Sequence, residues 1–312
     1  MAISEDCAAR LDEIRKDRTS GAARLAVRAA TMLVEYDERA PADIPDIVSA
    51  LIQAQPSMAP IYNLAQRVLA ASGVKTACIE FLESMERNAA RVAEIAAGLI
   101  EDGMTVMTHS FSSTVLAACR EARQNGKRFS VICPESRPMC EGVAMAASLG
   151  VAGIPVSLVA DCAIHRALPG VRLVLVGADA ASTRGIFNKT GTALLALAAR
   201  ELGVPVYALC SSCKFLPRFY DPPPEIPRDP RELLERELPH ITVLNYHFDV
   251  TPLDYVSGIV TEEGVLTPAE LREKLSGLNA PPEQALAGPV KPGGTALAAP
   301  QPERGPQFGF SC

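Results

Sequence analysis

Hydrophobic residues follow a helical period through the first third of the chain. In residues 1–102 apolar side chains recur three or four positions apart, which places them on one face of successive helices. A long helix is predicted over about 75–102, and residues that break helices separate the earlier ones at 19–21 and 55–57. We therefore predict a helical N-terminal domain, residues 1–102.

From residue 103 the pattern changes to short apolar runs that alternate with amphipathic segments. The predicted strands lie near residues 104–108, 129–133, 156–160, 172–176, 205–209 and 241–244. The predicted helices between them lie near residues 113–125, 140–149, 161–167 and 190–202. Such alternation is typical of an α/β fold with a mainly parallel sheet. We expect this second domain to span residues 103–278.

The end of the chain has a different composition. Residues 279–312 are rich in proline, glycine and alanine and show almost no periodic apolar pattern. A segment of this kind buries too little apolar surface to offset the entropy of ordering, so we predict a disordered tail.

Composition narrows the class of protein. The 312 residues are 48% hydrophobic and carry a net charge of -6, which indicates a globular protein and argues against a nucleic-acid-binding surface. No apolar run approaches the roughly 20 residues of a membrane span, and the N-terminus lacks the pattern of a signal peptide. Most of the nine cysteines lie in apolar segments, as do Cys78, Cys119, Cys133 and Cys162. We therefore expect buried free thiols, a cytoplasmic protein and no membrane partner.

Polar clusters follow several predicted strands, where open α/β sheets bind ligands. Their members are His109, Ser110, Ser112 and Ser113; Glu135, Ser136, Arg137 and Glu141; Asp161; and Asp179, Asn188 and Lys189. The basic residues suit phosphate, and a partly buried carboxyl group suits proton transfer. Alternatively, the serines and aspartates only cap helices and the lysine is solvated. Taken together, the clusters favour a small anionic ligand.

Five motifs in these clusters carry a family resemblance. They read THSFSS (108–113), ESRPMCEG (135–142), GADAASTRGIFNKTGT (177–192), SSCKF (211–215) and NYHFDVTP with TEEG (245–252, 261–264). The chain resembles, over about residues 10–275, the superfamily of the alpha, beta and delta subunits of eukaryotic translation initiation factor two B. Methylthioribose-1-phosphate isomerase and ribose-1,5-bisphosphate isomerase belong to the same superfamily.

The resemblance implies both an architecture and a ligand. It implies a helical N-terminal domain on a Rossmann-like C-terminal domain, assembled as a homodimer or higher homo-oligomer through the C-terminal domain. It also implies a pocket for a small phosphorylated metabolite. The substrate-binding residues would be Gly21, Ala22, His109, Glu135, Arg137, Asn188, Lys189 and Lys214. We expect no cofactor and no bound metal, because the Cys210–Cys213 spacing has no second pair beside it.

The catalytic positions are less complete. In the isomerases a cysteine and the aspartate of a Gly-Ala-Asp motif transfer the protons; Asp179 matches the aspartate, but Ser110 stands in place of the cysteine. A hydroxyl is far less acidic than a thiol. The family's two phosphate-binding arginines are also replaced, by Ser20 before Gly21-Ala22 and by Gln55. Cys133 and Cys140 lie nearby, and we expect Cys133 to point into the packing of the sheet.

Two interpretations follow. In the first, the pocket binds a phosphorylated sugar or nucleotide without isomerase chemistry, because Ser110 replaces the cysteine. In the second, the chain is an active aldose–ketose isomerase that uses Asp179 with another acid/base partner, either His109 or Glu135. A role as a translation-factor subunit is a third possibility, which the sequence does not support independently.

Overall fold

Five amphipathic helices build the N-terminal part of the computed structural model, which describes residues 3–17, 20–236 and 238–278. The helices are α1 (Glu5–Lys16), α2 (Ala22–Arg39), α3 (Ile44–Ala54), α4 (Ala59–Ala70) and α5 (Val74–Leu99). Their apolar faces form one core, which includes the fully buried Leu25, Leu33 and Leu64. The predicted tail, 279–312, lies outside the described residues.

A seven-stranded sheet forms the second part. Its strands are β1 (Thr105–Met107), β2 (Ser130–Pro134), β3 (Val156–Val159), β4 (Leu173–Gly177), β7 (Val206–Leu209), β9 (Gly258–Thr261) and β10 (Gly264–Leu266). Their order across the sheet is β10-β9-β7-β4-β1-β2-β3. Every pairing is parallel except that of β9 with β10. The predicted α/β class with a mainly parallel sheet is therefore confirmed.

Helices connect and cover these strands. They are α6 (Ser113–Gln124), α7 (Glu141–Val151), α8 (Ile164–Ala167), α9 (Thr192–Glu201) and α10 (Pro268–Ser276). A smaller antiparallel sheet, in the order β5-β6-β8, is built from β5 (Ala180–Ser182), β6 (Gly185–Lys189) and β8 (Phe248–Thr251). None of the helices in the described part of the chain is long and apolar enough to cross a membrane.

One predicted strand is wrong. Residues 241–244 are described but form no strand, and Ile241 and Leu244 are exposed in the long connection between β7 and β8. Beside β7 the sheet instead contains β9, all four of whose residues are buried. The two segments are similarly apolar, so pairing with β7 over a long stretch of sequence, and not composition, decides which of them forms the strand.

The segment after β3 also differs from expectation. Residues 161–167 form a 3-10 turn (Asp161–Ala163) followed by the single helical turn of α8, and Cys162 is exposed rather than buried. Burial is as predicted at the other three cysteines, Cys78, Cys119 and Cys133, and Cys133 points into the packing of the sheet. Cys162 lies beyond the end of β3, after Asp161, so an apolar strand shortly before a cysteine does not predict that its thiol is buried.

Side-chain amides tie the helices to the sheet. Asn63 on α4 donates to the carbonyl oxygens of Cys213 and Phe215, at 2.8 and 3.0 Å. Asn88 on α5 donates to the Glu262 carboxylate at 2.8 Å. Both parts belong to one compact unit, and the division at residue 102 stays a prediction.

Gln55, one of the two departures from the family pattern, has a structural role. Its amide is buried and donates to the carbonyl oxygens of Ile14, at 2.7 Å, and Asp17, at 3.3 Å. These carbonyls lie at the end of α1, where helices leave backbone acceptors without an intrahelical partner. Gln55 therefore caps α1.

We predict that Gln55→Ala lowers the free energy of unfolding by about 1–3 kcal/mol, because it leaves buried carbonyls without their donor. Urea unfolding followed by circular dichroism measures the loss. Gln53→Ala, at an exposed glutamine in the last turn of α3, is the matched control and should change the free energy of unfolding by less than about 0.5 kcal/mol. Equal losses in the two variants would contradict the capping role.

Candidate functional site

The loops at the carboxyl ends of β1, β2 and β4 lie side by side, because these strands are neighbours in the sheet. They contain His109 and Ser110, Glu135–Arg137, and Asp179, respectively. The end of β6 adds Asn188 and Lys189. The sequence clusters therefore meet at one edge of the sheet, as parallel strands require.

His109 joins three of these segments. Its buried ring donates from Nε2 to the carbonyl oxygen of Thr190, at 2.7 Å, and its Nδ1 lies 3.4 Å from the Ser136 hydroxyl. The same hydroxyl accepts the backbone N–H of Ser110 at 2.8 Å. Burial lowers the pKa of His109, which favours the neutral ring that this pattern requires. Both nitrogens of His109 are thus engaged within the protein.

Gly142 sets where α7 begins. A Cβ atom on this residue would lie 1.8 Å from the Pro134 carbonyl oxygen and 2.9 Å from the Ser136 hydroxyl. Only glycine lets the first turn of α7 approach the end of β2 this closely. As a result Glu141, the first residue of the helix, lies at the carboxyl edge of the sheet.

Glu141 and Lys189 form an ion pair in which the lysine is buried and the glutamate is half-buried. The Lys189 ammonium is 2.9 Å from Oε1 of Glu141, and the lysine is only 4% exposed. The other carboxylate oxygen, Oε2, is buried and has no hydrogen-bond partner in the described parts of the chain. Sequence reasoning placed Lys189 in the site but left Glu141 out of the binding residues. The sequence signal that could have identified Glu141 is a glutamate followed by a glycine at the start of a predicted helix.

Asp179 follows β4 and lies among charged neighbours. Burial raises the pKa of its carboxyl group, and the charge of Glu141 adds to the rise. The Lys214 ammonium and a hydrogen bond from the backbone N–H of Ala22 act in the opposite direction. Lys214 itself donates to the carbonyl oxygen of Ala178, at 2.6 Å. Asp179, Glu141, Lys214 and the start of α2 therefore meet in one place.

The start of α2 lies beside Asp179. Gly21 is the N-cap residue and has no side chain to cap the helix, and the Asp179 carboxylate accepts the N–H of Ala22, the first helical residue. The first turn of a helix presents backbone N–H groups with a partial positive charge. The structure thus brings Gly21 and Ala22 to the edge of the sheet, although the family's arginine is missing before them.

Asn188 faces the start of α9. Its amide donates to the Thr192 hydroxyl at 3.0 Å, and a Cβ atom on Gly177 would lie 3.8 Å from its Oδ1. That same Cβ would lie 2.8 Å from the Ser112 hydroxyl, which caps α6 by accepting the N–H of Val115. The serine loop thus caps a helix, as one of the two sequence interpretations stated.

Two other predicted residues lie apart from these contacts. The Arg137 side chain is exposed and donates to the carbonyl oxygen of Glu232 at 3.3 Å, in the long connection before β8. Glu135 is half-buried, and its backbone N–H donates to Val159. Asp161 accepts the backbone N–H groups of Ser136 and Arg137, both at 2.7 Å, so its carboxylate holds the loop in place.

Asp249 positions the loop between β6 and α9 and was missed by sequence reasoning. Its Oδ2 accepts the backbone N–H groups of Gly191, at 2.7 Å, and Ala193, at 3.1 Å. Gly191 has φ +98° and its Cβ would lie 2.9 Å from Nε2 of His109, so the turn requires glycine. Burial raises the pKa of Asp249 to about 6.

We predict that Gly142→Ala lowers the free energy of unfolding by about 2–3 kcal/mol, the scale of a steric clash in a packed site. Urea unfolding measures it. Gly150→Ala in the same helix meets no atom within 4 Å, so this control should be neutral or stabilising by up to about 1 kcal/mol. A stable Gly142→Ala protein would show that α7 does not depend on this close approach.

We predict that the stability of Asp249→Asn relative to the wild type rises between pH 4 and pH 7. A carboxyl group with a raised folded-state pKa binds more protons in the folded state, so its contribution to stability falls as the pH rises. The asparagine variant lacks this loss. Urea unfolding at four pH values measures the difference.

Asp254→Asn is the control of opposite sign, because Arg272 lowers the pKa of Asp254. Its stability relative to the wild type should fall as the pH rises toward 3.8, the ordinary pKa of the carboxyl group, and should be nearly flat between pH 4 and pH 7. The change is small because Asp254 is exposed. A flat difference for Asp249→Asn would contradict the raised pKa.

Comparison with known proteins agrees with the motifs. A putative translation initiation factor eIF-2B subunit 2-like protein from Pyrococcus horikoshii is 37% identical over 269 residues, which cover 83% of this chain and 95% of the relative. A ribose 1,5-bisphosphate isomerase from Archaeoglobus fulgidus is 36% identical over 276 residues, which cover 82% of this chain and 88% of that enzyme.

The fold agrees as well. The crystal structure of the Pyrococcus horikoshii translation initiation factor eIF-2B superimposes with a TM-score of 0.77 at 34% identity, over 85% of this chain and 98% of that one. The model of the initiation factor 2 subunit family matches residues 18–268. The family prediction made from the five motifs is thereby confirmed, and the chain belongs to the initiation factor 2 subunit family.

Proposed function

We propose that this chain binds a small phosphorylated sugar at the carboxyl edge of its parallel sheet. The observation that carries the proposal is the meeting of two lysines, two carboxylates and the start of a helix around Asp179. Lys189 and Lys214 are the donors, and the start of α2, whose Ala22 N–H binds Asp179, adds a partial positive charge. They suit a phosphate group, which binds ammonium groups and helix N-termini.

The carboxylates explain why the ligand is a sugar phosphate and not phosphate alone. Asp179 and Glu141 are acceptors, and an anion such as free phosphate would be repelled by them. Sugar hydroxyl groups donate hydrogen bonds, so they suit these oxygens, including the unpaired Oε2 of Glu141. A relative 36% identical to this chain is a ribose 1,5-bisphosphate isomerase, whose substrate combines both kinds of group.

The replacement of both family arginines weakens binding of the phosphate group but does not abolish it. Gln55 is committed to the end of α1, so it does not replace a guanidinium. Each lost bidentate contact removes about 1.5–3 kcal/mol of binding free energy. The proposed site therefore relies on its two lysines and on the start of α2. The predicted homo-oligomer, formed through residues 103–278, stays a prediction.

A second candidate function is aldose–ketose isomerisation. Asp179 favours it, because burial raises the pKa of this carboxyl group and so makes its protonated form more accessible for proton transfer. Ser110 argues against the family's own mechanism, since its hydroxyl does not provide the acidity of a thiol. Conversion of ribose 1,5-bisphosphate followed by phosphorus NMR distinguishes an enzyme from a binding protein.

We predict that ribose 1,5-bisphosphate raises the melting temperature by about 5 °C at a hundred times its dissociation constant. Lys214→Met should weaken this binding about tenfold or more, through loss of a charged contact. Calorimetric titration measures the affinity. Lys75→Met, at an exposed lysine of α5, is the control and should bind like the wild type.

Inorganic phosphate at the same concentrations is the second arm. It should bind more weakly than the sugar phosphate, because it offers no neutral hydroxyl groups to Asp179 and Glu141. Equal affinities would contradict recognition of the sugar, and absence of binding by both ligands would contradict the proposed function.

A further inference from the structure

We propose that Glu141 is a proton-transfer group of this site, which works with Asp179 in place of the thiol that Ser110 does not provide. This inference rests on the second candidate function, isomerisation, and goes beyond binding. Glu141 belongs to neither of the proton-transfer pairs that the sequence suggested, which were Asp179 with His109 and Asp179 with Glu135.

The position of Glu141 is fixed from two sides. The close approach of Gly142 to the Pro134 carbonyl oxygen sets the backbone, and the ion pair with Lys189 sets the carboxylate. Oε1 faces the lysine, so Oε2 remains for a ligand. This oxygen is buried and has no hydrogen-bond partner within the described residues. Since buried carboxylate oxygens nearly always accept hydrogen bonds, a donor from the ligand fits here.

Glu141 is close enough to Asp179 for its charge to raise the pKa of that carboxyl group, and the surroundings of the two carboxyl groups differ. The Lys189 ammonium pairs with Oε1 of Glu141, so the unpaired Oε2 is the oxygen that is placed to accept a proton. Burial favours the protonated form of Asp179, which suits it to donate one. Two carboxyl groups in contrasting environments are a common solution to acid–base chemistry at neutral pH.

Three other titratable groups at this edge are engaged elsewhere. Both ring nitrogens of His109 make internal hydrogen bonds, to Thr190 and Ser136. Both oxygens of Asp161 accept backbone N–H groups. Cys133 is buried in the sheet, where burial raises its pKa to about 12. Glu141 differs from these three groups because its Oε2 still lacks a donor among the described residues, as does Oδ1 of Asp249.

The proposed reaction on a cyclic aldose 1-phosphate balances in two steps. First, ionised Glu141 takes the proton from C2, the C–H electron pair forms the C1–C2 double bond, the bond from C1 to the ring oxygen breaks, and that oxygen takes the proton of Asp179. Second, the hydroxyl group on C2 returns a proton to Asp179 as the carbonyl forms, and C1 takes the proton from Glu141. The phosphate stays on C1, and both carboxyl groups regain their starting states.

The test uses the full chain with ribose 1,5-bisphosphate. We expect the wild type to convert this compound into the ketose, which phosphorus NMR follows, and Glu141→Gln to slow the conversion at least about a hundredfold. Glu141→Gln should still bind the compound in calorimetric titration, because it removes a negative charge beside the lysines. A merely structural role for Glu141 would instead show as lost binding.

Two further variants complete the test. Glu141→Asp keeps a carboxylate and should retain measurable conversion, and Glu80→Gln, at an exposed glutamate of α5, should convert the compound like the wild type. Wild-type rates in Glu141→Gln, or loss of its binding, would overturn the role of Glu141. Binding by the wild type without any conversion would overturn the inference and leave the proposed function standing, whereas absence of binding would contradict both.

Discussion

The hydrogen bonds of one buried histidine organise the site. His109 follows β1, yet it contacts Thr190 after β6 and Ser136 after β2, so three segments distant in sequence share one side chain. A neutral ring with a donor on one nitrogen and an acceptor on the other satisfies both contacts, and burial maintains that state. These hydrogen bonds hold the three loops together and so fix the positions of the charged residues that the loops carry.

Around this frame, opposite charges are placed so that each limits the cost of burying another. Lys189 would be expensive to bury alone, and Glu141 provides its counter-charge. Lys214 and the N–H of Ala22 moderate the burial of Asp179 in the same way. The charges of the site are therefore paired, yet Oε2 of Glu141 still lacks a hydrogen-bond donor among the described residues.

Sequence patterns predicted the α/β fold, the mainly parallel sheet and the meeting of the strand-end clusters. These features follow from local periodicity and from the direction of parallel strands. The patterns failed where long-range contacts decide the outcome. Residues 241–244 have the apolar pattern of a strand, but β9 occupies the position beside β7 in the sheet. Gln55 looks like a weakened ligand contact but caps α1, and Arg137 faces the connection before β8, which no local pattern reveals.

The amide ties from α4 and α5 to the sheet have a consequence for how a ligand enters. Asn63 crosses from α4 to the two residues that flank Lys214, and Asn88 crosses from α5 to Glu262, so a hinge motion between the two parts would break these part-buried hydrogen bonds. A ligand of the proposed site would therefore enter and leave without separation of the two parts. Its arrival and departure would then depend on loop motions, which are faster than domain closure.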